Sequence, residues 1–188
     1  MNLPKDKMPE AEVSLRLAFY LISNKLSTEV SVSIDGAMVR TKTNIHFQIL
    51  DFLSSNGWKA MAIEKSFQGR YSHPEFSAKL EINSNPGKGD VVATLLNGKK
   101  FRAECKKGPM VKSKSSVEYK LLHEAIGQLM TISDMNKNDL LAVAVPHSLK
   151  FNELIKRWRE APLIKKLAIL LLTVDRGNNV DGFPVSRK

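Results

Sequence analysis

Asp90, Glu104 and Lys106 bring two carboxylates and an ammonium into one short stretch of this chain, Gly89-Asp90-Val91-Val92-Ala93-Thr94-Leu95-Leu96-Asn97-Gly98-Lys99-Lys100-Phe101-Arg102-Ala103-Glu104-Cys105-Lys106. Paired carboxylates suit a hard cation such as Mg2+ or Mn2+, which takes oxygen ligands and leaves positions for water and phosphate oxygens. An ammonium beside them can stabilise a charged phosphate or orient an attacking water. The chemistry implied is metal-assisted hydrolysis of a phosphodiester.

Whether the two carboxylates meet depends on the turn at Asn97-Gly98. A two-residue turn would pair Leu96 with Lys99 and mix polar and apolar side chains on both faces. A longer loop, Leu96 to Gly98 with a left-handed glycine and a G1 bulge, pairs Leu95 with Lys99 and sets Asp90 opposite Glu104. Val91, Ala93, Leu95, Phe101, Ala103 and Cys105 then share one face, and Asp90, Thr94, Lys100, Arg102, Glu104 and Lys106 share the other, with Val92 the exception. A slip of one residue would reverse every side chain, so this separation favours the longer loop. Carboxylates about 4 Å apart would repel by roughly 4 kcal/mol at an effective dielectric near 20, a penalty that a bound cation removes. Cys105 falls on the apolar face and reads as a small core residue rather than a nucleophile.

The surrounding pattern supplies elements to position this ribbon. Residues 9–26 have helical spacing, and Val30, Val32 and Ile34 alternate toward Asp35-Gly36 as in a small hairpin. A second helix is expected over 43–56, with His46, Ile49, Leu50 and Leu53 on one stripe. A strand at 58–63 and a looped region at 65–89, holding a strand at 76–82, follow. Ser115-Ser116-Val117-Glu118 opens a third helix, on which Gln128 comes nearly two turns after Leu121 and so turns toward the packed side. Apolar strands at 140–145 and 167–174 flank a helix that runs from Ser148 to Arg159, an arrangement that implies parallel pairing and an α/β sheet.

Over the whole chain, 188 residues favour one compact unit, divided here into a helix-and-hairpin extension, 1–41, and an α/β domain, 42–188. A single cysteine excludes an internal disulfide and thiolate zinc clusters. The longest apolar stretch, 167–174, is far short of the roughly 20 residues of a membrane span, and the polar first ten residues resemble no signal peptide. A cytoplasmic protein without an organic cofactor is expected. The net charge of +10 points to a polyanionic partner, foremost DNA, and its cations cluster near the carboxylates. Lys99, Lys100, Arg102, Lys107, Lys112 and Lys114 are the expected phosphate contacts.

Asp90 ahead of one strand, as Pro86-Gly87-Lys88-Gly89-Asp90, and Glu104-Cys105-Lys106 on the next resemble the PD-(D/E)xK nuclease superfamily, which includes restriction enzymes and Holliday-junction resolvases. Within it the chain looks most like the XisH-type excision-controlling factors over residues 42–151. His46 with Gly57-Trp58, the Asp90 and Glu104-x-Lys106 motif, Glu124-Ala125-Ile126-Gly127-Gln128 and Ala142-Val143-Ala144-Val145-Pro146 occur in the same order. The resemblance implies a restriction-endonuclease-like mixed sheet with an α-β-β-β-α-β core and a DNA endonuclease activity. Asp90, Glu104 and the Cys105 carbonyl would hold Mg2+, Lys106 would assist the attacking water, and His46 and Gln128 would stand beside them. Many members add an acidic residue from the first core helix. Helix 43–56 offers only Asp51, off its stripe, which leaves Glu12 and Glu64 as contributors. A homodimer is expected by analogy with enzymes that cut both strands. The competing expectation is a non-catalytic DNA- or RNA-binding accessory of a recombination or defence system.

Overall fold

The computed structural model describes residues 6–36, 38–41, 44–85, 87–111, 117–132 and 134–184, with the main chain alone over 38–41 and 44–46. In chain order its elements are β1 (Lys7–Met8), α1 (Glu10–Ser23), β2 (Ser27–Ser33), β3 (Met38–Thr41), β4 (Asn44–Gln48), α2 (Ile49–Ser55), β5 (Lys59–Lys65), β6 (Gln68–His73), β7 (Phe76–Asn83), β8 (Val91–Leu95), β9 (Lys100–Cys105), β10 (Gly108–Pro109), α3 (Val117–Leu129), β11 (Leu140–Pro146), α4 (Leu149–Arg159), α5 (Pro162–Leu167), β12 (Leu170–Val174) and β13 (Val180–Asp181). Among the described residues nine strands form one sheet in the order β13-β12-β11-β9-β8-β2-β7-β6-β5. β8 lies antiparallel to β2 and β9, whereas β11 runs parallel to β9 and β12. The class is α/β, with a large mixed sheet flanked by helices. No helix among the described residues is long and apolar enough to cross a membrane.

Side-chain alternation decides which helix covers which face. In β11, Ala142 and Ala144 pack into the cluster that α1 fills with Val13, Leu17 and Leu21. Val143 and Val145 instead meet Leu122, Ala125 and Leu129 of α3 and Phe151, Leu154 and Ile155 of α4. Each valine, leucine, isoleucine and phenylalanine among them stabilises by about 1.5–3 kcal/mol when fully buried. Strands β8, β9 and β11 therefore form the stiff middle on which polar groups can be mounted.

Several expectations change at this level. The N-terminal residues are no appendage: β2 is hydrogen-bonded to β7 on one edge and β8 on the other, so a boundary at residue 41 cuts through the main sheet. Among the described residues both edges of β2 are taken by β7 and β8 rather than by a hairpin partner across Asp35-Gly36, and β3 pairs with β4. The helix expected over 43–56 is α2, which starts at Ile49, and His46 lies in β4 ahead of it. The looped region 65–89 contains β6 as well as β7, and these carry the sheet out to β5. The start of the strand expected at 167 belongs to α5, which Pro162 opens and Ala168, left-handed at φ +52°, closes. Ser148 caps α4 as its sequence suggested, accepting from the Phe151 N–H.

Candidate active site

The β8–β9 ribbon has the register that face separation favours. Val91 opposes Ala103, Ala93 opposes Phe101 and Thr94 opposes Lys100, which sets Asp90 across from Glu104. The Leu95 N–H donates to the Lys99 carbonyl at 2.8 Å and the Gly98 N–H to the Leu95 carbonyl at 2.8 Å. Gly98 sits at φ +80°, the left-handed conformation that closes this loop. The six apolar-face residues from Val91 to Cys105 are all buried.

Asp90 is held at both ends. Its carbonyl accepts from the Ser33 N–H at 2.8 Å, and its Oδ2 accepts from the Cys105 N–H at 2.7 Å. Just before it, Gly89 adopts φ +97°, and a Cβ there would stand 3.1 Å from the Ala103 carbonyl oxygen. A larger residue would strain the approach of this loop to β9. The Lys106 N–H donates to the Ala144 carbonyl at 2.9 Å. In a trans peptide the carbonyl points away from the N–H, so the Cys105 carbonyl is directed away from β11, to the side of Asp90.

Electrostatics at this end of the ribbon are unfavourable without a cation. Burial pushes Asp90 up to about 6, and the charges of Glu10 and Asp35 add to the rise, against the Cys105 N–H and Lys106. Burial likewise pushes Glu104 up to about 7, helped by Asp90 and Glu10 and opposed by Lys106. Burial alone would lower Lys106, but Glu10 and Glu124 outweigh it and the net shift is upward. Its Nζ lies 3.3 Å from Glu124 Oε1 and 3.8 Å from Glu10 Oε1. Lys106 therefore stays an ammonium at neutral pH, a donor of charge and hydrogen bonds rather than a base.

These groups face a cleft of about 260 Å3, lined among others by Asp35, Gly87, Gly89, Asp90, Glu104 and Gln128. Among the described residues no three His, Cys, Asp or Glu side chains are grouped to hold a metal ion. What faces this side of the cleft is two carboxylates and a main-chain carbonyl, all hard oxygens. That set fits Mg2+ or Mn2+, which leave their other positions to water and phosphate.

The expected site residues fare differently. Gln128 lines the cleft, but from the exposed side of α3: each helical residue turns by about 100°, and Leu122, Ala125 and Leu129 occupy the packed side. Lys99, Lys100 and Lys107 are exposed, whereas Lys112 and Lys114 lie outside the described residues. Arg102 is 1% exposed, so it is not a surface phosphate contact. Its Nε and Nη2 meet Asp139 at 3.1 Å and Asp134 at 3.3 Å, and its Nη1 meets the Lys88 carbonyl at 3.3 Å. The His46 side chain lies outside the described residues, and its strand gives it no helical stripe to share. Cys105 is fully buried, and burial raises its thiol far above the usual range.

Neither Glu12 nor Glu64 reaches the Asp90–Glu104 pair. Glu12 is buried against Arg16 at 2.9 Å and Arg176 at 3.1 Å, and Glu64 sits on β5, about 19 Å of strand spacings from β8. Glu10, at the first turn of α1, is the carboxylate that reaches the site, its Oε2 3.5 Å from the Lys107 N–H. Asp35, which follows β2, is the other residue missed. In the sequence, Glu10 is legible only as an acidic residue in the first turn of a helix, where it complements the helix dipole.

The raised carboxyls give a pH expectation with a definite sign. Cation binding must displace protons from Asp90 and Glu104, so Mn2+ affinity should rise steeply from pH 5 to pH 8 with proton release on binding. Calorimetry in buffers of different ionisation enthalpy measures both, and a pH-independent affinity would contradict the cluster. Comparison of the chain with known protein families, with curated proteins and with solved structures gives no match.

Proposed function

We propose that this chain is a Mg2+- or Mn2+-dependent deoxyribonuclease of the PD-(D/E)xK type. The observation that carries the reading is the cross-strand pairing of Asp90 with Glu104, with Lys106 two residues beyond and the Cys105 carbonyl on the same side. The order of elements supports it. With the excursion from 38 to 83 set aside, α1, β2, β8, β9, α3 and β11 follow the α-β-β-β-α-β sequence of that superfamily, and α1 delivers Glu10 as its acidic residue. The narrower likeness to XisH-type proteins rests on the ordered motifs from His46 to Pro146, of which Glu124–Gln128 falls on α3 beside the cleft and Ala142–Pro146 on β11.

Asp90, Glu104 and the Cys105 carbonyl would hold the cation, with Glu10 close by. A bound cation would supply Lewis-acid polarisation of the scissile phosphate and offset its charge. Lys106 would donate to a phosphate oxygen or fix the attacking water, while its pairing with Glu124 and Glu10 keeps it protonated and aimed. Gln128 offers an amide to the same cleft. Lys99, Lys100 and Lys107 would meet neighbouring phosphates. Cleavage of both strands would call for two copies, each with one site.

The direct test is incubation of supercoiled plasmid, branched DNA and single-stranded DNA with Mg2+ or Mn2+, and again with EDTA. Cleavage in the metal arm alone is expected, together with a metal-induced rise in melting temperature. Intact substrates in every arm would sink the reading.

A further inference from the structure

Tyr119, His123 and Trp158 form a group of rings at the surface between α3 and α4, away from the cleft. Tyr119 meets His123 edge-on at 4.2 Å and Trp158 edge-on at 5.3 Å, and His123 lies tilted at 5.0 Å from Trp158. Unlike Phe19, Phe52 and Trp58, which stack inside the core, this group is open: Tyr119 is 42% exposed, His123 is exposed and Trp158 is half-buried.

Its surroundings are cationic. Lys120 follows Tyr119, and Lys156 and Arg157 precede Trp158, all three exposed. Arg159 turns its guanidinium to the Leu171 carbonyl and Asp181 at the far edge of the sheet. Arg157, two residues earlier and so about 200° around the helix, is thereby directed to the α3 side. Along α3, Glu124 and Gln128 stand five and nine residues past Tyr119, about 8 and 14 Å along the axis and roughly 140° and 180° around it, so a strand leaving the rings must cross the helix to enter the cleft.

We propose that Tyr119, His123 and Trp158 are a stacking platform for unpaired bases of a single-stranded DNA segment that crosses α3 toward the scissile phosphate, with Lys120 and Arg157 on its backbone. Open ring faces accept any base, whereas a base inside a duplex has both faces covered by its neighbours. The cations then make the binding salt-dependent. The proposal rests on DNA being the substrate, and it narrows that substrate to one with a flap, overhang or branch.

The test is titration of the full chain in EDTA, where no cleavage occurs, with oligothymidylate and with a duplex of equal length. Trp58 is 4% exposed beneath Phe19, so a Trp58→Phe variant isolates the Trp158 fluorescence. Quenching by the single strand and not by the duplex is expected. Tyr119→Ala and Trp158→Ala should each weaken single-strand binding about tenfold, with duplex binding unchanged and Trp158→Phe near wild type. Tyr119 is exposed enough that its variant reports on binding even where Trp158→Ala melts early. Unchanged single-strand affinity in Tyr119→Ala, or equal quenching by duplex, overturns the platform and leaves the nuclease reading intact. Binding of neither DNA overturns both, whereas platform-dependent binding without cleavage in Mg2+ supports the platform and removes the nuclease.

Discussion

Replacing Asp90 with asparagine should lower Mg2+-dependent cleavage by about a thousandfold or more while leaving the metal-free protein as stable as before, or more so, at pH 8. Asparagine keeps an oxygen to accept the Cys105 N–H, so the local geometry survives. What disappears is a charge that the fold holds at a cost. A carboxyl whose folded pKa is raised to about 6 binds more protons folded than unfolded, so the metal-free protein loses stability as pH climbs from its ordinary value near 4 through 6. Glu104→Gln should act alike over a window that extends to about pH 7. Both variants should also lose the metal-induced rise in melting temperature. Plasmid cleavage at the wild-type rate by either one would refute the assignment, and cleavage by Glu10→Gln at a reduced but measurable rate would place Glu10 as an accessory carboxylate.

The second large effect concerns a residue that touches no substrate. Arg102→Leu should destabilise the protein by about 3–5 kcal/mol, because it strands Asp139, whose side chain is 4% exposed, without its counter-charge. For a chain of this length that corresponds to a fall in melting temperature of about 6–20 °C. Arg102 also holds the Lys88 carbonyl, in the loop that carries Asp90, so Mn2+ affinity should fall with stability. The double variant Arg102→Leu with Asp139→Leu should recover much of the loss, since two apolar side chains leave no charge unpaired. Calorimetric melting that places Arg102→Leu within about 1 kcal/mol of wild type would show that the buried pair is not stabilising.

The ribbon was legible because its register is specified locally. Alternation from Val91 to Cys105 and the glycine at 98 allow one arrangement with a clean apolar face, and Asp90 and Glu104 follow from it. Alternation also put Arg102 on the correct face, but it carries no information about what covers that face. The segment with Asp134 and Asp139 arrives from more than thirty positions away. Glu10 escaped for the same reason. Nothing in the periodicity of α1 says that its first turn meets Lys106, and the intervening strands made helix 43–56 look like the first core helix. Gln128 was assigned to the cleft by resemblance, although its helical position alone pointed to the wrong side.

The placement of β2 has a kinetic corollary. This strand precedes β7 and β8 in the chain and can pair only after both have been synthesised, and Glu12 reaches Arg176 across 164 positions. Closing such long loops costs entropy before any contact compensates, which slows folding relative to a helical bundle of equal length. On the ribosome, β9 cannot be flanked on both edges until β11 has emerged. The acidic cluster therefore gains its full support only after β11 has been made, long after Glu10 and β2.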